Sequence, residues 1–331
     1  MLRGAAPESS GDNQNQKHRR EHKRELAERF MPKMKPQNWH LVPENDENGL
    51  RLDCFVAAHT GMSRGMARRI LDLGGVHVGG QRVRRCSRPV VGGETVDVYL
   101  DGRPLDIFSL KPEQILFRDI WLLAVNKPSG VEVNPTPARY QGTLYEALLR
   151  FLRESASRHP ELGMVQRLDR DTSGVLIFSI HRRAHKNLTL CFQEHHVTKV
   201  YRLLASGVFE TQEGEFRSQL ARRGSSNRMG TVASGGREAI TRFRVLRQYE
   251  KAAYVEAHIP TGRSHQIRVH FAENGHPVLG DAKYGNAASA SRLMLHALRL
   301  ELPHPVTGRP LVVEAPLPDD MVSWLRAHDV S

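Results

Sequence analysis

The chain is poor in cysteine and in aromatics and has no long apolar run. Its three cysteines, Cys54, Cys86 and Cys191, are widely separated and make no CxxC pair. That excludes a disulfide framework and a cysteine zinc site and fits a reducing compartment. No apolar stretch approaches the length of a bilayer span, so no membrane association is expected. Residues 1–16 are polar, without the apolar core of a signal peptide, which makes a cytoplasmic location the expectation. A glycine-rich phosphate loop, a dinucleotide fingerprint and a serine-centred nucleophile elbow are also missing. With 7 Tyr, 11 Phe and 3 Trp, the chain has too few aromatics for a surface built mainly on base stacking.

What the chain has is positive charge. Lys and Arg number 48 against 36 Asp and Glu, a net charge of +12. Such a balance favours a polyanionic partner, and arginine, which dominates the informative regions, forks onto phosphate. Residues 1–48 read as a basic, disordered leader: Ser9 to Gln16 lack a core pattern, and Lys17 to Lys35 carry mixed charges at helical spacing up to Pro32. Residues 49–101 form a small domain of their own. Leu52, Phe55, Val56 and Ala58 predict a short helix ending at Gly61. Ser63 caps a second helix, Arg64 to Leu73, closed by Gly74-Gly75. Gly79-Gly80 turns a hairpin between Val76-His77-Val78 and Gln81-Arg82-Val83, and Glu94 to Leu100 closes the domain as a strand. Arg64, Arg68, Arg82, Arg84, Arg85 and Arg88 on this frame point to a module that grips an RNA backbone.

Residues 102–118, with Pro104 and Pro112, read as a linker, and 119–321 as a second domain followed by a tail, 322–331. Strands are predicted at Trp121–Asn126, Val175–Ile180, Val200–Ser206, Ile240–Leu246, Ala252–Ile259 and Gln266–Phe271, with helices at Gly142–Leu152 and Ala184–Glu194. Adjacent strands without regular helical crossovers predict an α+β domain with a largely antiparallel mixed sheet and flanking helices.

The polar residues of this second domain concentrate in three segments. In Gln166-Arg167-Leu168-Asp169-Arg170-Asp171-Thr172-Ser173-Gly174 an acid stands between two arginines, which should keep it ionised as a nucleophile for an anionic substrate. Lys199-Val200-Tyr201-Arg202 opens a strand. In Gly262-Arg263-Ser264-His265-Gln266-Ile267-Arg268-Val269-His270, strand alternation would send Ile267 and Val269 into the core and Arg268 into a cleft, where it could pair with the carboxylate. Asp169 and Asp171 are too close in sequence for a glycosidase pair, whose carboxyls come from separate segments roughly 5–10 Å apart. His265 and His270 would face opposite ways, and His195-His196 lacks ligand spacing, so no metal site is expected.

These segments, in this order, resemble the RluA-type family of pseudouridine synthases. The family's Asn-Lys-Pro-x-Gly is present at Asn126–Gly130, its Gly-His-Pro-Val-Leu-Gly-Asp-x-x-Tyr-Gly at Gly275–Gly285, and Leu295-His296-Ala297 also fits. Residues 49–101 resemble the alpha-L RNA-binding domain of ribosomal protein S-four through Arg51-Leu52-Asp53, Met62-Ser63-Arg64, Gly75–Gly80 and Gly93–Val96. The resemblance implies conversion of uridine to pseudouridine in structured RNA. Ribosomal RNA is the leading target, transfer RNA the alternative, and a catalytically silent RNA-binding assembly factor the rival. It implies that no cofactor is needed, because the base is detached, turned and rejoined through carbon with nothing oxidised; a monomer is the expected state. The target base must leave its helix. By the same resemblance Asp169 is the nucleophile or charge stabiliser, Arg268 pairs with it, and Tyr201 stacks on the flipped base and assists the final proton removal. Arg167 fills the gap left in the RNA, and Lys199 is a structural or phosphate contact. One position departs from the family pattern: its histidine before Arg-Leu-Asp is Gln166 here.

Overall fold

The computed structural model describes residues 35–155, 160–224 and 228–329, so the basic helix expected over 17–35 lies outside it except for Lys35. The chain divides into two units, one of residues 1–107 with 136–141 and one of 108–135 with 142–331. Among the described residues, no helix is long and apolar enough to cross a membrane.

The first unit contains β1 (Gln37–Leu41), α1 (Leu52–Thr60), α2 (Arg64–Leu73), β2 (Val76–Val78), β3 (Gln81–Arg82) and β4 (Val96–Leu100). Its sheet has the antiparallel order β1-β4-β2-β3. The Ser63 hydroxyl accepts from the Met66 amide at 3.2 Å and starts α2, while Gly74 ends it at a φ of +87°. Ala67, Ile70 and Leu71 of α2 pack with Leu52, Phe55 and Val56 of α1 over Val76, Val96 and Val98. Gly75 cannot be exchanged for a larger residue without movement, since a Cβ there would lie 2.7 Å from the Tyr99 carbonyl and 2.9 Å from that of Ala138. The Leu73 carbonyl accepts from the amides of Tyr140 and Gln141, which binds segment 136–141 into this unit. β1 lies inside what the sequence marks as a disordered leader. Its alternating Trp39 and Leu41 pack on the core, and five residues between prolines are too short to outweigh the basic composition around them.

The second unit contains β5 (Ile115–Arg118), β6 (Leu122–Lys127), α3 (Leu144–Ser155), β7 (Gly163–Met164), β8 (Ser173–Ser179), α4 (Arg182–Gln193) and β9 (Thr198–Ser206). It continues with β10 (Glu213–Arg223), β11 (Arg228–Val232), β12 (Arg237–Gln248), β13 (Ala252–His258), α5 (Gln266–Glu273), β14 (Leu295–Pro303), β15 (Pro310–Glu314) and α6 (Asp319–His328). The strands form one 11-stranded sheet of order β11-β10-β12-β13-β9-β14-β8-β6-β5, with β15 on β14 and β7 on β8. Among the described residues only the β8–β14 pairing is parallel, so the expected α+β class with a largely antiparallel mixed sheet holds.

Alternation along the strands gives the sheet two faces. On one, α3 covers Leu123, Val125, Leu176 and Phe178, and α5 lies over Tyr201, Leu203, Val255 and Ala257. On the other, α4 packs on Leu122, Ala124, Val175 and Ile177, and Met321 of α6 packs on Leu204. Leu168 touches both clusters of the first face, which brings the loop before β8 to the seam between α3 and α5. Gly174 makes that seam possible. At a φ of +116°, a Cβ would lie 2.1 Å from the Ala297 carbonyl, so β8 starts where only glycine fits against β14.

Three further segments differ from the sequence-based expectation. Residues 115–118, placed in a linker, are the edge strand β5, and the tail's 322–328 belong to α6. Gln266–Phe271, expected as a strand, is helix α5. Every residue from Gln266 to Phe271 is buried, so burial leaves no period that distinguishes helix from strand. The Gln266 side chain fixes the helix start, accepting from the Arg263 amide at 3.0 Å and donating to the Ile240 carbonyl at 2.8 Å.

Two histidines inside this unit are held as neutral rings. His296 bonds Ser173 Oγ at 2.9 Å, and His270 bonds Thr241 Oγ1 at 2.8 Å and Ser218 Oγ at 3.0 Å. Burial lowers both pKa values to about 4. An unfolded histidine binds its proton near pH 6.5 and these folded ones near 4, so stability is lost as pH falls through that window, by roughly 3 kcal/mol for each ring. Urea unfolding of this unit should show a steep fall in midpoint between pH 6.5 and 4, and His270→Gln should remove about half of it. A slope that His270→Gln leaves unchanged would contradict the assignment.

Candidate active site

Asp169 lies in the loop between β7 and β8, and the motif Asn126–Gly130 holds that loop by its backbone. Lys127, fully buried, donates to the carbonyls of Arg170 (2.8 Å), Pro128 (2.8 Å) and Val131 (3.0 Å). Those three acceptors match the three N–H bonds of an ammonium. Burial draws the Lys127 pKa down to about 7, with Asp171 the first of the carboxylates acting against it. The Gly130 amide adds a second bond to the Arg170 carbonyl at 3.0 Å, and Ser129 Oγ donates to the Asp171 carbonyl at 2.7 Å. The amide of Thr172 closes a turn on the Asp169 carbonyl at 3.1 Å.

The carboxylate is held from a distant segment. Arg268 on α5 donates through Nη1 to Asp169 Oδ2 at 2.9 Å. Its other edge makes a fork to Asp281, with Nε to Oδ2 and Nη2 to Oδ1, both at 2.8 Å. The Asp281 side chain is wholly buried and also accepts from the amides of Lys283 (2.8 Å) and Tyr284 (3.0 Å). Burial works against the Arg268 charge, but Asp281 and Asp169 overcome it and raise the pKa above the ordinary arginine value. Asp169 keeps about a quarter of its side chain exposed, so one oxygen is tied to Arg268 while the group remains reachable. Its Oδ1 lies 3.8 Å from His265 Nε2. His265 adopts a φ of +56°, in the left-handed region, and its Nδ1 is 2.7 Å from the Tyr284 hydroxyl. That hydroxyl also accepts from the Met229 amide at 2.9 Å, and the Tyr284 ring lies 5.2 Å from the Arg268 guanidinium. Burial lowers the His265 pKa, against the Asp169 charge, which raises it.

Asp169, Tyr201 and Arg268 therefore share one face of the sheet, and Tyr201 feels the Asp169 charge. Burial first, and that charge second, push the phenol's pKa up, so it is protonated at neutral pH. The arginines beside Asp169 in sequence do other things. Arg170 forks onto Asp171 at 2.7 Å through both Nε and Nη2, and Arg167 is exposed. Lys199 is half-buried, its pKa lowered by burial and then by Arg263. In the first unit, Arg64 and Arg68 are bonded to Asp53, and Arg85 is exposed with Nε 3.4 Å from Ser87 Oγ. Arg82 donates to the carbonyls of Gly74 and Thr136, both at 2.7 Å, and so braces the unit's own backbone. Gln166, where the sequence departs from the family pattern, has a buried Nε2 with no hydrogen-bond partner among the described residues.

Sequence reasoning assigns no role to Lys127, Asp281, Tyr284 or His265. The first three stand in motifs that the sequence shows as patterns only, and His265 enters there solely as a metal ligand to be weighed. Among the described residues, no group of three or more His, Cys, Asp or Glu side chains is placed to hold a metal.

Replacing Lys127 by Met would leave three carbonyls without their donor and loosen the loop. Hydrogen exchange of the Gly130 and Thr172 amides should then accelerate at least about tenfold, the equivalent of one hydrogen bond's net worth. Unchanged exchange would show the clamp to be dispensable.

Residues 121–273 match the family described as RNA pseudouridylate synthase. An uncharacterized RNA pseudouridine synthase of Aquifex aeolicus (strain VF5) is 36% identical over 84% of this chain and 94% of its own length. Ribosomal large subunit pseudouridine synthase D of Neisseria meningitidis (strain Z2491) is 35% identical over 71% of this chain and 67% of its own. In structure, human RNA pseudouridylate synthase domain containing 1 superposes with a TM-score of 0.52 at 26% identity, over 66% of this chain and 95% of that one. Human RNA pseudouridylate synthase domain containing 4 gives 0.56 at 24% identity, over 66% and 93%, a likeness of fold. With the Asp–Arg pair on the sheet face inside the matched region, the chain belongs to the RNA pseudouridine synthases.

Proposed function

We propose that the protein isomerises specific uridines to pseudouridine in large-subunit ribosomal RNA, acting as a cytoplasmic monomer with no cofactor. The observation that carries the site assignment is the Asp169–Arg268–Asp281 chain, a partly exposed carboxylate held by a guanidinium that is itself held from behind. The choice of RNA is supported by relatives named for the ribosomal large subunit. In the reaction the N1–C1′ bond breaks, the base turns, and a C5–C1′ bond forms. C5 loses its proton and N1 gains one, so the change is an isomerisation. Asp169 meets the electron-poor sugar carbon as nucleophile or counter-charge, and Arg268 holds it in place. Tyr201 stacks on the extruded base as a neutral phenol, Arg167 fills the vacated place in the RNA, and Lys199 meets a phosphate. The first unit grips the RNA backbone through arginines.

Asp169→Ala should abolish pseudouridine formation while RNA affinity changes less than about twofold. Chemical mapping of pseudouridines in ribosomal and transfer RNA from deletion and complemented cells reads both the loss and the target. Modification that survives the substitution would sink the role given to Asp169. Asp281→Asn would leave Arg268 free to swing from Asp169, and kcat should fall by about two orders of magnitude with KM nearly constant. An equal rise in KM would place Asp281 in RNA binding instead.

A further inference from the structure

We infer that the first unit carries a preformed site for an RNA phosphate, built by Arg51, Arg64 and Arg68 around the carboxylate of Asp53. The inference rests on the RNA-binding reading of that unit and goes beyond it in naming the site and its construction.

Asp53 sits in the first turn of α1 with its side chain fully buried. Its Oδ2 accepts from Arg68 Nε at 2.6 Å, Arg64 Nε at 3.0 Å and Arg51 Nη2 at 3.2 Å, and its Oδ1 accepts from Arg51 Nε at 3.0 Å. Burial disfavours the carboxylate charge, and the three guanidiniums overcome it, holding the pKa well below the usual range. A single arginine fork would satisfy a buried carboxylate. The second and third cations leave a surplus of two positive charges at one point. Arg64 and Arg68 stand one turn apart on α2, a spacing at which like charges weaken a helix.

The hydrogen bonds show where that surplus is directed. Arg64 and Arg68 reach Asp53 through Nε, so both terminal nitrogens of each have no partner among the described residues, and neither has Nη1 of Arg51. The three side chains remain 42%, 49% and 47% exposed for Arg51, Arg64 and Arg68. Asp53 thus fixes the inner edge of three planar donors and leaves their outer edges in solvent. The oxygens of a phosphodiester suit such donors, and holding them in advance removes the ordering cost that free arginines would meet on binding. Inorganic phosphate shares this chemistry. The net charge of the chain and its family favour the RNA backbone.

The test uses the full-length protein and a labelled RNA stem-loop of about 20 base pairs, titrated between roughly 50 and 200 mM salt. Arg64→Gln should weaken binding about tenfold and lower the salt slope by about 1. Arg64→Lys keeps the charge and the slope but loses the fork, and should bind about fivefold more weakly. Asp53→Asn makes the protein more positive and should still bind more weakly, because the guanidiniums are no longer held. If Arg64→Lys and Asp53→Asn bind as tightly as wild type, or tighter, the arginines act as a diffuse field and the built site is refuted. Should Asp53→Asn fail to fold, Arg64→Lys alone decides between the two. If the triple change of Arg51, Arg64 and Arg68 to Gln leaves affinity and slope untouched, the RNA-binding reading of the unit fails as well. Displacement of the RNA by micromolar inorganic phosphate at constant ionic strength would reassign the site to the free ion.

Discussion

One guanidinium organises the catalytic unit. Arg268 joins a carboxylate sealed in the interior, Asp281, to one that meets solvent, Asp169, from a helix 99 positions further along the chain. A cation at this depth is tolerable only with both partners in place, and two acids so close are tolerable only with the cation between them. The surroundings serve that arrangement. α5 begins at the left-handed His265, Gly174 lets β8 start against β14, and Lys127 fixes the loop carrying Asp169 by its carbonyls. Side chains, strand entry and loop backbone all converge on the position of one carboxylate.

Asp169 and Arg268 are legible in the sequence because the chemistry demands an acid and a cation, and only a few segments supply them. Arg170 is adjacent in sequence yet forks onto its other neighbour, Asp171, while a helix from elsewhere presents Arg268 to Asp169. The secondary structure around Arg268 departs from expectation. Alternating Ile267, Val269 and Phe271 mark a strand only if one face is wet, and here neither is. Arg82 looks like an RNA contact by composition. It also braces two backbone carbonyls, which carry no side-chain signature, so nothing in the sequence could disclose the bracing.

The two units use arginine in different ways. In the catalytic unit, Arg268 spends every edge on carboxylates and is almost closed to solvent. In the first unit, three arginines spend one edge on Asp53 and keep the other outside. The same guanidinium is an internal strut in one place and an outward donor in the other. The number of partners per charge, rather than residue type, separates the two. Gln166 belongs to neither pattern. Its buried Nε2 lacks a partner among the described residues, in the very loop that holds Asp169.

Segment 136–141 has a consequence for inheritance. It lies in sequence within the catalytic stretch, yet its Tyr140 and Gln141 amides bond the end of α2, and Thr136 accepts from Arg82. The first unit is therefore not a contiguous cassette. A recombination event that exchanged residues 1–107 for another RNA-binding module would leave these six residues behind, shaped for a surface no longer present. Productive shuffling would have to replace two separated stretches of the gene at once, which ties the ancestry of the small unit to that of the enzyme it accompanies.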